Sequence, residues 1–456
     1  MRANSKKEIG MGYGIINKKL NKIPFKKLSK ESRFCKRKPR KITPKEFLIG
    51  FFLMVFSPEG NTYKNWSSKI GLVIKDTVSK QALWKRMHEG QIKFLQGVLG
   101  ELVNRTIREE CLVKVKSKLN YFKRVIIEDS THIKLNEKHS KYYPGNRNWD
   151  QKDDKAILKI QAAYELVSNR FVRFSITNYR KNDLGYSRNI LEIAKSGNLI
   201  IRDLGYFIVK VFKEMKEHGI YFVSRLRKRV NIISKEDGEV IDLAKMLRKR
   251  GSLDMEVFIG EEDRVPVRLI ALPVEESVAA ERRRKLKKQR DSRYKPSKES
   301  LYLSGWEIFL TNVSKKVLEA KDIANLYFIR WRIEIIFKSW KSHLKITEIS
   351  EDTNRIRVES YIYCMLIFVI LFQVSFYNYY LNKINKANKS IHETIKGISL
   401  MKMMQFITNN VEVILFAFVL KNYALESLVE RQIKYYCTYE SRHDRINFYQ
   451  KMLSLS

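Results

Sequence analysis

Two aspartates follow runs of apolar, β-branched residues at widely separated points of the chain. Asp129 comes after Val-Ile-Ile-Glu, and Asp203 comes after Leu-Ile-Ile-Arg. Such runs are typical of buried strands, and side chains at the carboxyl ends of neighbouring strands can converge on one crevice. Carboxylates gathered in this way bind Mg²⁺, a hard cation that prefers oxygen ligands. Either aspartate alone would be interpreted as a turn or cap residue, so the pair needs a third member.

The third acidic candidate is Glu334, on a helix that we predict over residues 317–344. At roughly 100° per residue, Tyr327, Arg330, Glu334 and Lys341 fall on one narrow stripe, and Lys338 lies beside it. A separate face of isoleucine, tryptophan and leucine would pack on a sheet. The alternative interpretation is a solvated face, in which Glu334 pairs with Arg330 and Lys338.

The charge balance restricts the kind of partner. Among 456 residues, 89 Lys and Arg face 49 Asp and Glu, which gives a formal net charge of +40. A surfeit of this size predicts a polyanionic partner, and nucleic acid fits best because many cations along one surface release counterions from phosphates. We expect double-stranded DNA to be bound.

Other chemistries lack their signatures. The four cysteines include no CxxC pair, so neither a disulfide framework nor a zinc site is indicated. The sequence contains no HExxH, no Gly-x-Ser-x-Gly elbow, and no glycine-rich loop ending in Gly-Lys-Ser/Thr. A zinc hydrolase, a serine hydrolase and an ATPase are therefore disfavoured.

The location of the protein is inferred from its apolar segments. No apolar core followed by a small-residue cleavage site opens the chain, so we expect a cytoplasmic protein. The apolar run at 361–377 is seventeen residues long and contains Gln373. A membrane span needs about 20 apolar residues, so we expect a helix buried inside the protein and no membrane association.

The N-terminal part divides into two regions. Residues 1–42 are rich in lysine and arginine, which predicts a flexible basic arm, either solvated or in contact with DNA. Residues 43–118 predict a helical DNA-binding domain, which begins at a capping box formed by Thr43 and Glu46. Residues 77–86 resemble a helix-turn-helix reading helix that would present Lys80, Gln81 and Lys85 to the groove, although an ordinary bundle helix is an equal alternative.

Residues 119–380 show a different periodicity. Strand-like runs at 124–128, 157–166, 171–177, 199–202 and 221–224 alternate later with helices, which predicts an α/β fold with a mixed five-stranded sheet flanked by helices. Residues 225–304 read as a β-rich insertion before the helix of Glu334, with a basic block at 282–290 that is solvated or follows phosphates. Residues 381–456 predict a helical C-terminal region.

The spacing Tyr327-x2-Arg330-x3-Glu334-x6-Lys341 resembles the Y-R-E-K signature of the insertion-sequence 4 family of bacterial DDE transposases, which includes the Tn5 and Tn10 enzymes. The segments Ile-Ile-Glu-Asp129-Ser-Thr and Ile-Ile-Arg-Asp203-Leu-Gly-Tyr-Phe resemble that family's first and second catalytic aspartate regions. The resemblance covers about residues 43–380. Leu204 is a departure, because many members carry a basic residue there.

The resemblance implies a ribonuclease H-like fold in which Asp129, Asp203 and Glu334 hold two Mg²⁺ ions, with Mn²⁺ as a substitute. In-line displacement at a phosphodiester would then need no covalent protein intermediate. Arg330 and Lys341 would hold phosphates, with Lys338 beside them and Tyr327 donating from its hydroxyl.

The resemblance also implies a biological cycle. The protein would bind terminal inverted repeats, pair two ends as a homodimer through its C-terminal region, and move DNA by cleavage through a hairpin and strand transfer, without ATP. Trp306 would hold an unstacked base, or else be a core residue. The alternatives are a ribonuclease H-like nuclease or resolvase, and a non-catalytic DNA-binding protein derived from such an element.

Overall fold

A single mixed sheet with helices on both faces organises the chain in the computed structural model. The structure describes residues 11–35, 37, 39–56, 59–108, 117–145, 155–288, 295–344, 346–388, 397–418, 422–438 and 455. The strands are β1 (Arg124–Leu135), β2 (Ala156–Glu165), β3 (Arg170–Asn178), β4 (Asn198–Arg202), β5 (Tyr221–Arg225), β6 (Ile232–Ser234), β7 (Leu253–Ile259), β8 (Val265–Pro273) and β9 (Trp306–Thr311).

The α-helices fall into three groups along the chain. The first six are α1 (Met11–Asn21), α2 (Phe25–Glu31), α3 (Pro44–Val55), α4 (Tyr63–Ile74), α5 (Lys80–Trp84) and α6 (Glu89–Arg108). Those among the strands are α7 (Asp183–Tyr186), α8 (Val209–Glu217), α9 (Leu243–Arg250), α10 (Glu276–Lys287) and α11 (Lys298–Leu303). The last seven are α12 (Ala320–Ile329), α13 (Trp331–Ser342), α14 (Arg355–Phe368), α15 (Tyr377–Asn388), α16 (Leu400–Asn409), α17 (Val411–Phe418) and α18 (Tyr423–Tyr436).

The sheet confirms the mixed α/β prediction and is larger than predicted. Its order is β3-β2-β1-β4-β5-β9-β8-β7-β6, with β2 antiparallel and β4 parallel to the central β1. The first five strands in this order form the five-stranded mixed unit that the sequence predicts. The sheet does not end there, because β9 pairs with β5 and the insertion strands continue the same sheet. Hydrophobic periodicity identified these strands but carries no information on such long-range pairing.

Strand β1 is also longer than predicted. Asp129 was expected at a strand end, but β1 continues from Arg124 to Leu135 because the antiparallel strand β2 pairs with it as far as Leu135. Asp203, by contrast, directly follows the last residue of β4, as predicted. One aspartate therefore lies within a strand and the other at a strand end.

The predicted long helix over 317–344 is divided at Arg330. Helix α12 ends at Ile329 and α13 begins at Trp331, and the Arg330 N–H donates to the carbonyl of Tyr327, three residues back. This tighter turn rotates the two halves relative to an ideal helix. The predicted apolar face is nevertheless buried, and it comprises Ile329, Ile333, Ile336, Trp340 and Leu344.

The structure confirms the predicted capping box at the start of the helical N-terminal region but does not agree with the flexible arm predicted before it. The Glu46 N–H donates to Thr43 Oγ1, and the Thr43 N–H donates to Glu46 Oε2, at the start of α3. The flexible arm predicted over residues 1–42 is wrong for residues 11–31, which form α1 and α2. Ile16 and Leu20 of α1, and Ile23 just after it, are buried in the main core, a pattern that the basic composition obscured. Residues 1–10 lie outside the described ranges.

The apolar run at 361–377 lies in a helix that continues from α14 through a π-helical segment, Val369–Phe376, into α15. Across residues 355–383 it is long and apolar enough to cross a membrane, and 94% of its apolar window is buried inside the protein. It packs against α3, α6 and the sheet in one continuous core. The run therefore supplies the central core helix that the sequence predicted.

Candidate active site

Three carboxylates meet at the guanidinium of Arg330. Its Nη1 lies 3.0 Å from Asp129 Oδ2, and its Nη2 lies 2.7 Å from Glu334 Oε1 and 3.8 Å from Asp203 Oδ1. The prediction that these three side chains converge is confirmed. The alternative pairing of Glu334 with Arg330 also occurs, as one part of this larger arrangement.

The sheet register brings the carboxylates together. Glu128 of β1 is the partner of Arg202 in the parallel strand β4, so the next residues, Asp129 within β1 and Asp203 just after β4, lie side by side. Helix α13 packs on the same face of the sheet through its buried apolar residues. That packing directs Glu334 towards the two aspartates.

The cluster is unbalanced in charge and partly open to solvent. The side chains of Asp203 and Glu334 are 47% and 41% exposed, whereas Asp129 is 17% and Arg330 is 8% exposed. Burial raises the pKa of Asp129 to about 7, with Arg330 opposing the rise and Asp203 and Glu334 adding to it. Three carboxylates facing one guanidinium leave two negative charges uncompensated when all are ionised.

The donor set fits a hard divalent cation. Carboxylate oxygens are the ligands that Mg²⁺ prefers, and here three of them already share one cationic group. Within the ranges described, no three His, Cys, Asp or Glu side chains are arranged so that they could hold a metal ion, and Arg330 lies among the three carboxylates. Loading a metal there requires the guanidinium to move away from their oxygens.

Tyr327, predicted to donate its hydroxyl to a phosphate, is buried. It is 5% exposed, with its ring 5.3 Å from that of Phe309. Its buried hydroxyl has no hydrogen-bond partner in the part of the chain that the structure describes. The guanidiniums of Arg225 and Arg330 lie 5.2 and 5.5 Å from the Tyr327 ring centre.

Arg225 is a candidate that the sequence reasoning missed. It ends β5, next to β4, and its side chain is 40% exposed with a weak ion pair to Glu307 at 3.4 Å. The sequence could have indicated Arg225, because this basic residue directly follows the predicted strand at 221–224, which comes next in the chain after the strand that precedes Asp203. Together with Tyr327 and Arg330 it forms a cationic rim beside the carboxylates.

The two predicted lysines of α13 are exposed. Lys338 and Lys341 both face solvent. Burial lowers the pKa of His132 on β1, and the charge of Lys341 contributes to that lowering. Lys341 therefore lies close to the strand that carries Asp129, whereas the structure gives Lys338 no such link.

Three aromatic side chains are candidates for holding an unstacked base. Trp306, at the first position of β9, is half-buried and 6.2 Å from the Tyr302 ring, and it packs against the core on the sheet face that carries Ile126 and Ile200, opposite the face of Asp129. Sequence reasoning missed Trp331 and Phe328, which flank Arg330, are 56% and 50% exposed, and stack 6.4 Å apart with 6° between their rings. Aromatics on either side of the signature arginine were the signal that could have identified them.

The predicted reading helix is short. Lys80, Gln81 and Lys85 are exposed as expected, but α5 ends at Trp84 after five residues. One and a half turns do not make the full helix that lies in a major groove, so the helix-turn-helix interpretation is not supported in that form. Contact of these residues with DNA stays a prediction.

Comparison with known proteins identifies the family. The model of the Transposase DDE domain matches residues 120–369. The chain is 25% identical over 389 residues to the transposase for insertion sequence element IS231F of Bacillus thuringiensis subsp. israelensis, covering 81% of this chain and 80% of that protein. It is 28% identical to the IS231E transposase of Bacillus thuringiensis subsp. finitimus, covering 75% of each.

A relative from another organism and a solved structure complete the comparison. The transposase for IS1151 of Clostridium perfringens is 26% identical over 71% of this chain and 72% of its own length. The piggyBac transposase synaptic complex with hairpin DNA aligns over 95% of this chain and 86% of that chain, at 9% identity and a TM-score of 0.43, which carries no argument about function. Because the domain match includes more than half of the chain and all three converging carboxylates, the chain belongs to the DDE transposase family.

Proposed function

We propose that Asp129, Asp203 and Glu334 hold the divalent metal ions with which this insertion-sequence transposase cuts and joins DNA. The observation that supports the proposal is the convergence of the three carboxylates on one cationic group. Two Mg²⁺ ions, or Mn²⁺, bound there would activate the attacking oxygen and stabilise the leaving 3′-oxygen.

The cationic rim is proposed to bind the phosphates around the scissile bond. Arg330 can exchange its carboxylate partners for a phosphate, which a guanidinium binds with two parallel hydrogen bonds. Arg225 lies across the Tyr327 ring from the same site, and the free hydroxyl of Tyr327 can donate to a phosphate oxygen. Lys341 and Lys338 would extend the rim along the DNA backbone as exposed point charges.

A hairpin step would require a base near the cut to leave the stack. Trp306 is the aromatic residue proposed for this role, and the exposed pair Phe328 and Trp331 offers a second platform beside Arg330. Stacking of a base on an aromatic ring contributes about 1–3 kcal/mol. Fluorescence of 2-aminopurine at the transposon end should respond to alanine at whichever tryptophan holds the base.

DNA recognition and assembly are proposed for the remaining surfaces. The basic helix α10, which carries most of the block at 282–290, and Lys80, Gln81 and Lys85 would contact terminal inverted repeats or target DNA. The C-terminal helices would pair two protomers in the synaptic complex, and α18 exposes Tyr435 and Tyr436. We further propose that the reaction needs no ATP and takes place in the bacterial cytoplasm, at the nucleoid.

The decisive experiment removes one carboxylate charge at a time. Asp129→Asn, Asp203→Asn and Glu334→Gln should each abolish Mg²⁺-dependent cleavage of a duplex carrying the terminal repeat, while binding to that duplex stays near the parental value. Asp263→Asn, at a surface ion pair with Lys213, is the matched control and should cleave normally. Full cleavage by any of the three site variants would refute the assignment.

Strand transfer separates a transposase from a nuclease that shares the same carboxylates. Protein incubated with pre-cut ends and a plasmid should give joined products. Cleaved ends without any joined product, under conditions where the protein nicks efficiently, would favour the nuclease.

A further inference from the structure

The residues that precede the two site aspartates form a buried ion pair on the opposite face of the sheet. Glu128 Oε2 lies 3.0 Å from Arg202 Nε, and their side chains are 2% and 3% exposed. The two atoms face each other as an ion pair without the alignment of a hydrogen bond. Because neighbouring residues of a strand point to opposite faces, this pair lies directly behind Asp129 and Asp203.

Arg202 ties the pair to the turn that carries Asp203. Its Nη1 donates to Ser187 Oγ at 2.8 Å and its Nη2 to the Ser187 carbonyl at 2.6 Å. Ser187 Oγ in turn donates to the carbonyl of Tyr206 at 2.6 Å. The turn from Asp203 to Tyr206 is therefore fixed from behind through one serine.

The same contacts continue to the residue after Asp129. The Tyr206 hydroxyl donates to Gln161 Oε1, and Gln161 Nε2 donates to Asp183 Oδ1 at 2.9 Å. Asp183 Oδ1 also accepts from Ser130 Oγ at 3.1 Å. We call this set the rear network; its members are Glu128, Arg202, Ser187, Tyr206, Gln161 and Asp183. It links the backbone on both sides of the two aspartates.

Stability alone does not account for a charged pair at this place. A buried ion pair contributes little net stability, and apolar replacement of both partners is often neutral or stabilising. A metal site, however, needs its ligands held to within about 0.5 Å by packing and hydrogen bonds from behind. The position of this pair, one residue before each aspartate, matches that second requirement.

We propose that Glu128 and Arg202 are positioning residues that fix the separation and orientation of the Asp129 and Asp203 carboxylates for metal binding. The proposal rests on the metal-binding role given above to these two aspartates. Glu128 and Arg202 would act only indirectly, because both are buried behind the sheet and can touch neither DNA nor metal.

The test compares four full-length proteins. They are the parent, the double variant Glu128→Leu/Arg202→Met, the single variant Arg202→Lys, and the control double variant Arg355→Met/Glu359→Leu. The control removes another partly buried ion pair, at 2.7 Å, on α14 and outside the rear network. Mn²⁺ alone is titrated and followed by electron paramagnetic resonance, and thermal unfolding, terminal-repeat binding and cleavage are measured in parallel.

The double variant should unfold at or above the parental midpoint and bind the duplex normally. Its Mn²⁺ affinity should fall by about 10–100-fold, as is found when residues supporting metal ligands are removed, and cleavage should fall with it. The control should keep parental Mn²⁺ affinity. Arg202→Lys keeps the buried charge but loses the second contact to Ser187, so its affinity should fall by a smaller factor.

Parental Mn²⁺ affinity in the folded double variant would overturn the proposal, as would an equal loss in the control. If the double variant does not fold, Arg202→Lys decides the matter, and parental affinity there overturns the proposal. The aspartate variants separate this failure from that of the proposed function. Loss of Mn²⁺ binding in Asp129→Asn with none in the rear variants rejects only the positioning role, whereas unchanged binding in Asp129→Asn rejects the metal assignment itself.

Discussion

Two buried arginines lie on opposite faces of strands β1 and β4, and they differ in what surrounds them. Arg330 contacts three carboxylates, of which Asp203 and Glu334 are 47% and 41% exposed. Arg202 contacts one carboxylate, Glu128, and both side chains are almost fully buried. We refer to the first arrangement as the front cluster and to the second as part of the rear network.

The surroundings shift the pKa of the two arginines in opposite directions. Burial works to lower the pKa of Arg330, yet Tyr327 and the three carboxylates together raise it. Burial lowers the pKa of Arg202, and Glu128 only partly opposes this. The front cluster thus has negative charge to spare for a further cation, whereas the Glu128–Arg202 pair of the rear network is balanced in charge and buried. Under the two proposals made above, similar side chains bind metal and DNA on one face and fix the geometry of the aspartates on the other.

The largest expected effect comes from making the same substitution on both faces. Glu128→Gln leaves Arg202 buried with no opposite charge, which should lower the free energy of unfolding by about 3–5 kcal/mol. Glu334→Gln leaves Arg330 with two carboxylates at a partly exposed site, so its cost should stay below about 1 kcal/mol. Urea unfolding of both variants measures the difference. Equal losses would show that the two faces are not distinct in this respect.

A second effect concerns pH. The folded-state pKa of Asp129 is raised to about 7, above the 3.8 of an unperturbed aspartate, because burial disfavours the charged form. The folded protein therefore binds this proton more tightly than the unfolded chain, and ionised Asp129 destabilises the metal-free fold at high pH. Asp129→Asn should be more stable than the parent at pH 8, by on the order of 1–3 kcal/mol.

The stabilisation should fade as the pH falls from 7 towards 4, where the parental carboxyl becomes protonated as well. The stability difference is measured by thermal unfolding of the parent and of Asp129→Asn across this pH range, in a buffer that contains a chelator. Glu334→Gln removes a carboxylate whose side chain is 41% exposed, and it is measured alongside as the matched control. A less stable Asp129→Asn at pH 8 would mean that the contact with Arg330 outweighs the burial of the charge.

The third effect concerns competition between Arg330 and the metal. In Arg330→Gln the carboxylates lose a cation that contacts their oxygens at 2.7–3.8 Å, so Mn²⁺ should bind the DNA-free protein several-fold more tightly, by about 1 kcal/mol. Binding of the terminal-repeat duplex should weaken at the same time. The affinity for Mn²⁺ is measured by calorimetry at pH 8.5, where Asp129 is ionised. Weaker Mn²⁺ binding in Arg330→Gln would indicate that the guanidinium organises the carboxylates rather than competing.

Much of the front cluster was accessible from the sequence. Apolar strands followed by aspartates, and a helix with an apolar stripe, make Asp129, Asp203 and Glu334 candidates because burial imposes periods of 2 and 3.6 on the chain. The resemblance to the Y-R-E-K signature then favours them over turn residues and a solvated helix face. The apolar core helix at 361–377 follows from the length and composition of the run alone.

The rest depends on pairing between distant segments. The sequence did not reveal that β5 pairs with β9, that the helix breaks at Arg330, or that Tyr327 is buried against Phe309. Register over such separations is set by the fit of whole faces rather than by any single run. The rear network was missed for the same reason, since Glu128 and Arg202 become partners only when β1 and β4 align.

The smallest expected effect lies at the edge of the front cluster. Lys341 is exposed and close enough to β1 for its charge to lower the pKa of His132, so it is placed to contact a phosphate near Asp129. Lys341→Ala should weaken duplex binding by up to about 1 kcal/mol and reduce the slope of log affinity against log salt by about 1. Lys321→Ala, an equally exposed lysine on α12, is the control and should leave the slope unchanged. Because Glu128 and Arg202 are almost fully buried, the double variant Glu128→Leu/Arg202→Met should also leave the salt slope at the parental value. A changed slope in that variant would mean that the two faces are coupled through DNA binding.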